Sequence, residues 1–357
     1  MINVTKPYLP SQEKLQLYIS EIYKTGWLTN NGPLLKTFEN RLKEYLGVKN
    51  LILVTNGTLA LQVAYKALKL KGEVITTPFS FVATSSSLLW ENLEPIFCDI
   101  DKDNLTIDYQ NIESLINKNT SAIVPTHVFG NSCDIEEIEN IAKKYKLKTI
   151  YDASHCFDTN YKKQNILNFG DISTISFHAT KLFHTIEGGA IITNNDKLAK
   201  QVRLLINFGF TGPEKIEEIG INAKMNEFQA AMGLAILDEI DTIKEKRETV
   251  WRYYKEHIPK NIQLLDWNKN CTLNYAYFPI ILKTEKQLLH LLEVFGKNNI
   301  YPRRYFNPSL NTLDYIKKKQ SCPISEDISK RILCLPIYPD LEKRNILKIV
   351  NILEGVI

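Results

Sequence analysis

From about Leu35 to about Val202 the chain alternates short β-rich runs with helical runs, and few architectures accept that rhythm. Leu35, Phe38, Leu42, Tyr45 and Leu46 recur at helical spacing, and Gly47 closes that helix. LILVTNG then reads as a buried strand and TLALQVAYKALKL as a helix. EVITTP, EPIFCDI, SAIVPTHVF and KTIYDAS continue as strands, with SFVATSSSLLWEN and IEEIENIAKKYK as helices between them. Strands separated by helices of this length predict an open α/β sheet, mostly parallel, with helices on both faces. DISTISFHATK and GGAIITNN lack an intervening helix, so the sheet is expected to be mixed. GLAILDEIDTIKEKRETVWRYYKEHI reads as one long amphipathic helix bridging to a smaller α/β domain, in which YAYFPIIL and RILCLPIYP are strands. The expected division is a large domain over 1–237 and a small one over 238–357.

With 357 residues, 44% of them hydrophobic and 24% charged, the chain can bury such cores and is not a disordered sequence. The 44 Lys+Arg against 40 Asp+Glu leave a net charge of +4, too small and too dispersed to nominate nucleic acid or an anionic membrane as partner. No apolar run approaches the roughly 20 residues of a bilayer crossing, and MINVTKPYLPSQEK has no signal-peptide core. Cys98, Cys133, Cys156, Cys271, Cys322 and Cys334 show no zinc-like spacing, so free thiols in a reducing cytoplasmic setting and no metal are expected.

Three places carry chemistry. Thr55-Asn56-Gly57-Thr58 lies between a strand and a helix, where first-turn N–H groups and a partial positive charge suit an anion. Asp152 ends the strand KTIYD, and in an open α/β sheet that position faces the ligand crevice; capping of the next segment is the other reading. Lys181 follows a strand, where a lysine is ordinarily a solvated charge. Its small, polar and aromatic neighbours, with Gly188 and Gly189 shortly after, suit instead an enclosed lysine whose lowered pKa makes it a nucleophile.

The order of these parts resembles that of fold type I pyridoxal phosphate enzymes. TNGTLAL, PFSFVAT, DASH, SFHATKLFHTIEGGAI, GINAKMNEFQAAMG and LCLPIYPDL resemble the nucleotide-sugar aminotransferases of the DegT/StrS group across essentially the whole chain. The resemblance implies that Lys181 holds pyridoxal 5'-phosphate covalently and moves the substrate proton, and that Asp152 pairs with the pyridine nitrogen. It implies that Gly57, Thr58 and Ser176 bind the phosphate, that Phe81 lies against the ring face, and that His155 sits near the ring hydroxyl; core packing is the alternative for Phe81 and His155. Asn222 would reach the phosphate of a neighbouring subunit, making a homodimer with shared sites. Glu187 is either a site acid or a loop support.

Lys224 stands where the family commonly has arginine, and Asn311 where its substrate loop often carries histidine. His184 and Thr185 are placed on the sugar side, with surface placement the alternative for His184. Arg303, Arg304, Tyr305 and Lys224 are candidates to rim the pocket for a nucleotide-linked keto sugar. The implied reaction is ping-pong transamination with L-glutamate as donor. TGWLTNNGP resembles the branch that forms 4-amino-4,6-dideoxyglucose, which points to dTDP-4-keto-6-deoxy-D-glucose as acceptor and to surface polysaccharide or O-antigen supply. A C3-aminotransferase acting on a 3-keto sugar and a non-catalytic regulator keeping the fold stay open. A sister branch that replaces the lysine with histidine and deoxygenates the sugar does not fit Lys181, and a dinucleotide-dependent oxidoreductase lacks its G-x-G-x-x-G run.

Overall fold

A computed structural model describes residues 1–356. Its centre is a seven-stranded sheet of β1 (Asn50–Val54), β2 (Glu73–Thr76), β3 (Glu94–Phe97), β4 (Thr120–Val124), β5 (Lys148–Asp152), β6 (Ile172–Ser176) and β7 (Gly189–Thr193), in the order β1-β7-β6-β5-β4-β2-β3. Six strands run parallel to one another; β7 is antiparallel to both neighbours, with Gly189 opposite Val54 on one side and Ser176 on the other. The mixed, mostly parallel α/β sheet expected of the sequence is therefore present. Its strands are buried on both faces, which is why they read as apolar runs rather than alternations.

On one face lie α1 (Gln12–Thr25), α2 (Pro33–Leu46) and α8 (Glu227–Leu237), joined in one core with Phe38, Leu42 and Leu234. On the other lie α3 (Gly57–Ala67), α4 (Ala83–Trp90) and α7 (Asp196–Leu205), the first and last packed on Ile52, Val74 and Ile191. The long helix expected across 233–258 is two helices. α8 stops at Leu237 and α9 (Ile240–His257) starts anew, because tertiary contacts take the carboxylates between them. Asp238 accepts from the Tyr18 hydroxyl (2.8 Å) and Arg41 (2.8 Å), and Glu239 from the Tyr8 hydroxyl (2.7 Å).

Beyond α9 stands a three-stranded antiparallel sheet of β8 (Gln263–Leu264), β9 (Pro279–Ile281) and β10 (Ile332–Cys334), covered by α10 (Glu285–Lys297) and α12 (Lys343–Val356). These strands are shorter than their sequence runs: Tyr277 precedes β9 as irregular chain. Ile240 and Ile243 of α9 belong to the large core, Val250 and Tyr254 to the C-terminal one. The strand Ile2–Asn3 returns to that C-terminal part, pairing with Ile300–Tyr301.

Candidate active site

Strand directions bring the chemistry-bearing residues to one edge. The carboxyl ends of β1, β5 and β6 deliver Asn56, Asp152 and Ser176, while the reversed β7 delivers Gly189 to the same place. The Asn56 side chain caps α3 by accepting from Leu59 N (2.8 Å), and the first-turn N–H groups of Gly57 and Thr58 have no intrahelical acceptor. Backbones crowd here. A Cβ on Gly57 would stand 2.9 Å from Ser176 Cβ, and one on Gly189 would stand 2.8 Å from the Asn56 carbonyl carbon. The two glycines thus let the helix start, β6 and β7 close into one cradle.

The cradle floors a cavity of about 290 Å³. Asp152 is buried on its wall, with Oδ2 accepting from the Thr84 hydroxyl (2.8 Å) and Oδ1 from Ser154 N (3.1 Å). A hydroxyl chain supports it, since Thr84 meets Ser80 (2.8 Å) and Ser80 meets Thr126 (3.2 Å). Each carboxylate oxygen keeps further acceptor capacity toward the cavity. His155 lies beside it, fixed by the Phe129 N–H donated to Nδ1 (3.0 Å) and by a stack with Phe306 at 5.7 Å. Accepting at Nδ1 leaves the proton on Nε2. Burial, then the nearby Lys181 cation, pushes the imidazole pKa well down and keeps the ring neutral.

Lys181 completes the group. Its Nζ donates to the Tyr277 hydroxyl (3.3 Å). Desolvation lowers its pKa to about 8, although Asp152 and Cys156 pull it upward. An amine near that value releases its proton close to neutral pH, as a nucleophile or base must. At the mouth, Phe81 is 51% exposed and lines the cavity, so it is not a core residue. Glu187, Arg303 and Tyr305 line the same opening, and the Arg303 guanidinium stands 4.9 Å from the Tyr305 ring centre.

His184, Thr185, Asn222, Lys224, Arg304 and Asn311 lie outside this cavity. His184 is buried with Nε2 against the Tyr8 carbonyl (2.7 Å), so it neither faces the cavity nor sits on the surface. Lys224 is buried outside the cavity because the 222–224 segment runs antiparallel beside β1. Its Nζ bonds Asn222 Oδ1 (2.9 Å) and lies 5.2 Å from the Phe208 ring. Strand alternation puts Asn222 and Lys224 on one face, away from this chain's cavity. Arg304 points opposite to Arg303 and pairs with Glu285 (2.8 Å). Asn311 is consumed by Ser309 (2.6 Å) and Glu326 (2.7 Å). Thr185 supports the loop through the Glu187 carbonyl (2.7 Å). Conversely, Thr84, His178, Tyr277 and Phe306 line the cavity without having been singled out. His178 had a signal, two residues past Ser176 in SFHATK; the others are far in sequence from their partners.

The residues present fit pyridoxal phosphate. An enclosed amine of lowered pKa, a buried acceptor-only carboxylate and a glycine-floored helix start are the donor set for an aldehyde, a pyridine N–H and a phosphate, in a cavity that a Cβ on Gly57 would invade. The comparisons agree. At 38% identity over 99% of this chain and 98% of the relative, it is similar to dTDP-4-amino-4,6-dideoxy-D-glucose transaminase of Escherichia coli. The enzyme of that name from Shigella dysenteriae is 39% identical over 95% of both chains. Among solved structures, DesI in the presence of its TDP-sugar product superposes with a TM-score of 0.94 at 29% identity, covering 99% of this chain and 92% of that one. Residues 10–354 match the DegT/DnrJ/EryC1/StrS aminotransferase family. The chain belongs to that family and is a pyridoxal-phosphate-dependent aminotransferase.

Proposed function

We propose that the protein moves an amino group from L-glutamate to C4 of dTDP-4-keto-6-deoxy-D-glucose, giving dTDP-4-amino-4,6-dideoxy-D-glucose. The observation that carries the chemistry is the Lys181 amine enclosed with Asp152 and the α3 start in one cavity. The choice of sugar is supported by the names of the two relatives at 38% and 39% identity.

When bound, pyridoxal phosphate supplies an electron sink for the carbon that loses its proton. The chain does the rest. Lys181 would hold the cofactor through Nζ, and the Gly57 and Thr58 N–H groups with the Ser176 hydroxyl would receive its phosphate. Asp152 would accept from the pyridine nitrogen, the Nε2–H of His155 would serve the ring hydroxyl, and Phe81 would lie against the ring face. Once displaced, Nζ of Lys181 removes the α-proton of L-glutamate. In the second half it delivers a proton to C4 of the sugar, so one amine serves both directions. Arg303 and Tyr305 at the mouth receive the sugar nucleotide, with the Arg303 guanidinium on the diphosphate.

In this reading residues 1–237 form the cofactor-binding domain and 238–357 the small domain. Two chains pair as a homodimer with Asn222 reaching the partner's phosphate, and exposed Phe208, Ile219 and Ile221 beside Asn222 suit that interface. No helix among the described residues is long and apolar enough to cross a membrane; a cytoplasmic enzyme supplying O-antigen or another lipopolysaccharide sugar fits the proposed product. Assay of the purified enzyme with L-glutamate and 4-keto or 3-keto dTDP sugars tests the reading. Product from the 4-keto sugar is expected, and turnover of the 3-keto sugar alone overturns the choice of C4.

A further inference from the structure

Lys181 has two tasks, and the second needs a partner that the first does not. As the point of attachment its position is fixed by a covalent bond. As a free amine it hangs on four methylenes, and an unheld amine spreads over many rotamers. Asp152 is not that partner: among the described residues no hydrogen bond or ion pair joins it to Nζ, and its remaining acceptor capacity is assigned to the pyridine nitrogen. Among the described residues the side chain that hydrogen-bonds Nζ is Tyr277, at 3.3 Å, with Nζ 5.9 Å from the ring centre.

The chain goes to some length to place this phenol. Arg247, buried in α9, donates Nε to the Tyr275 carbonyl (3.2 Å) and an Nη to the Ala276 carbonyl (2.7 Å), fixing the two residues before it. Asn274 receives Ala276 N–H (3.1 Å) while donating to the His155 carbonyl (2.7 Å), which ties the same segment to the cofactor side. Tyr275 holds a left-handed φ of 57°, a conformation a tyrosine adopts only where its surroundings impose it. The Tyr277 ring is then wedged between His155 (4.8 Å) and Phe129 (5.5 Å). A buried phenol stays neutral, and its pKa is pushed well up by desolvation. A carboxylate in its place would lock the amine as ammonium; a neutral acceptor holds Nζ and still lets it give up a proton.

We infer that Tyr277 is the positioning residue for the free Lys181 amine, its phenol oxygen parking Nζ where it exchanges the substrate proton in both half-reactions. This rests on the reading of Lys181 above. It also makes the C-terminal part of the chain a contributor to the proton transfer.

The test is Tyr277→Phe, which keeps the ring and removes the oxygen, with Tyr277→Leu as the second oxygen-free variant should the first not fold. In the full-length chain freed of cofactor, reductive methylation across a pH series, read by peptide mass, reports the titration of Lys181. Wild type is expected to titrate at about 8. The variant is expected to titrate at lower pH, because the lost oxygen accepted better from the ammonium than from the amine. In the holoenzyme, single-turnover absorbance should show both half-reactions slowed about tenfold or more, as misplacement of a reacting group does. A methylation midpoint that stays or rises, or half-reaction rates within about twofold of wild type, overturns the proposal. Failure of wild-type Lys181 to take up pyridoxal phosphate would overturn the underlying reading itself, and it is seen before Tyr277 is touched.

Discussion

Burial holds the Lys181 pKa at about 8 against the upward pull of Asp152, so the cofactor-free chain bears a cost whenever that amine is charged. The unfolded lysine titrates higher. Below about 8 both states carry the proton and the folded chain encloses an ammonium; above it the folded chain sheds the proton first and the cost fades. Lys181→Met is therefore expected to stabilise the cofactor-free chain at about pH 7 and to lose that advantage toward about pH 9.5, as urea titrations at the two values would read. A difference independent of pH would contradict it. At Gly57 the constraint is steric. Gly57→Ala drives a Cβ to 2.9 Å from Ser176 Cβ and 3.3 Å from its Cα, and overpacking of that kind costs enough to raise the cofactor Kd about tenfold. Fluorescence titration checks it, and an unchanged Kd would refute the cradle. Asp152 and Lys181 were legible in the sequence because one ends a strand run and the other lies in the short loop after one. Thr84 and Tyr277 were not, because their partners lie 68 and 96 residues away and no local pattern encodes such a contact.

Helix ends show the same limit at the next scale. α2 begins at Gly32-Pro33 without a side chain of its own to cap it. The cap comes from α8, where the carboxylate of Glu227, 1% exposed, accepts from Leu34 N (2.8 Å) and Leu35 N (2.9 Å). The acid of the N-x-K-M-x-E motif thus holds a helix start rather than touching the cavity. Removing it in Glu227→Ala leaves two buried N–H groups unpaired, for an expected loss of about 3 kcal/mol. Chemical denaturation reads the loss, and less than about 1 kcal/mol would show that water replaces the cap. The break between α8 and α9 escaped periodicity for a related reason. Apolar spacing runs on through 233–258, and only the ties of Asp238 and Glu239 to α1, α2 and the N-terminal segment stop the helix. By contrast β1 to β7 could be read from sequence because strands buried on both faces are apolar whatever they touch.

For the whole molecule the apolar face carrying Ile219 (88% exposed) and Ile221 is the feature a lone chain accounts for least well. In the proposed dimer that face is covered and Asn222 stands at the partner's site. Sedimentation is expected to give twice the chain mass for wild type. Ile219→Asp with Ile221→Asp should give a monomer that binds cofactor about tenfold more weakly or worse. A monomeric wild type would end the shared-site reading. The proposed chemistry stands on which side chain holds the cofactor. Borohydride reduction of the holoenzyme followed by peptide mass mapping should find a single pyridoxyl phosphate adduct, on Lys181, absent from Lys181→Ala; an adduct on another side chain, or none, would contradict it.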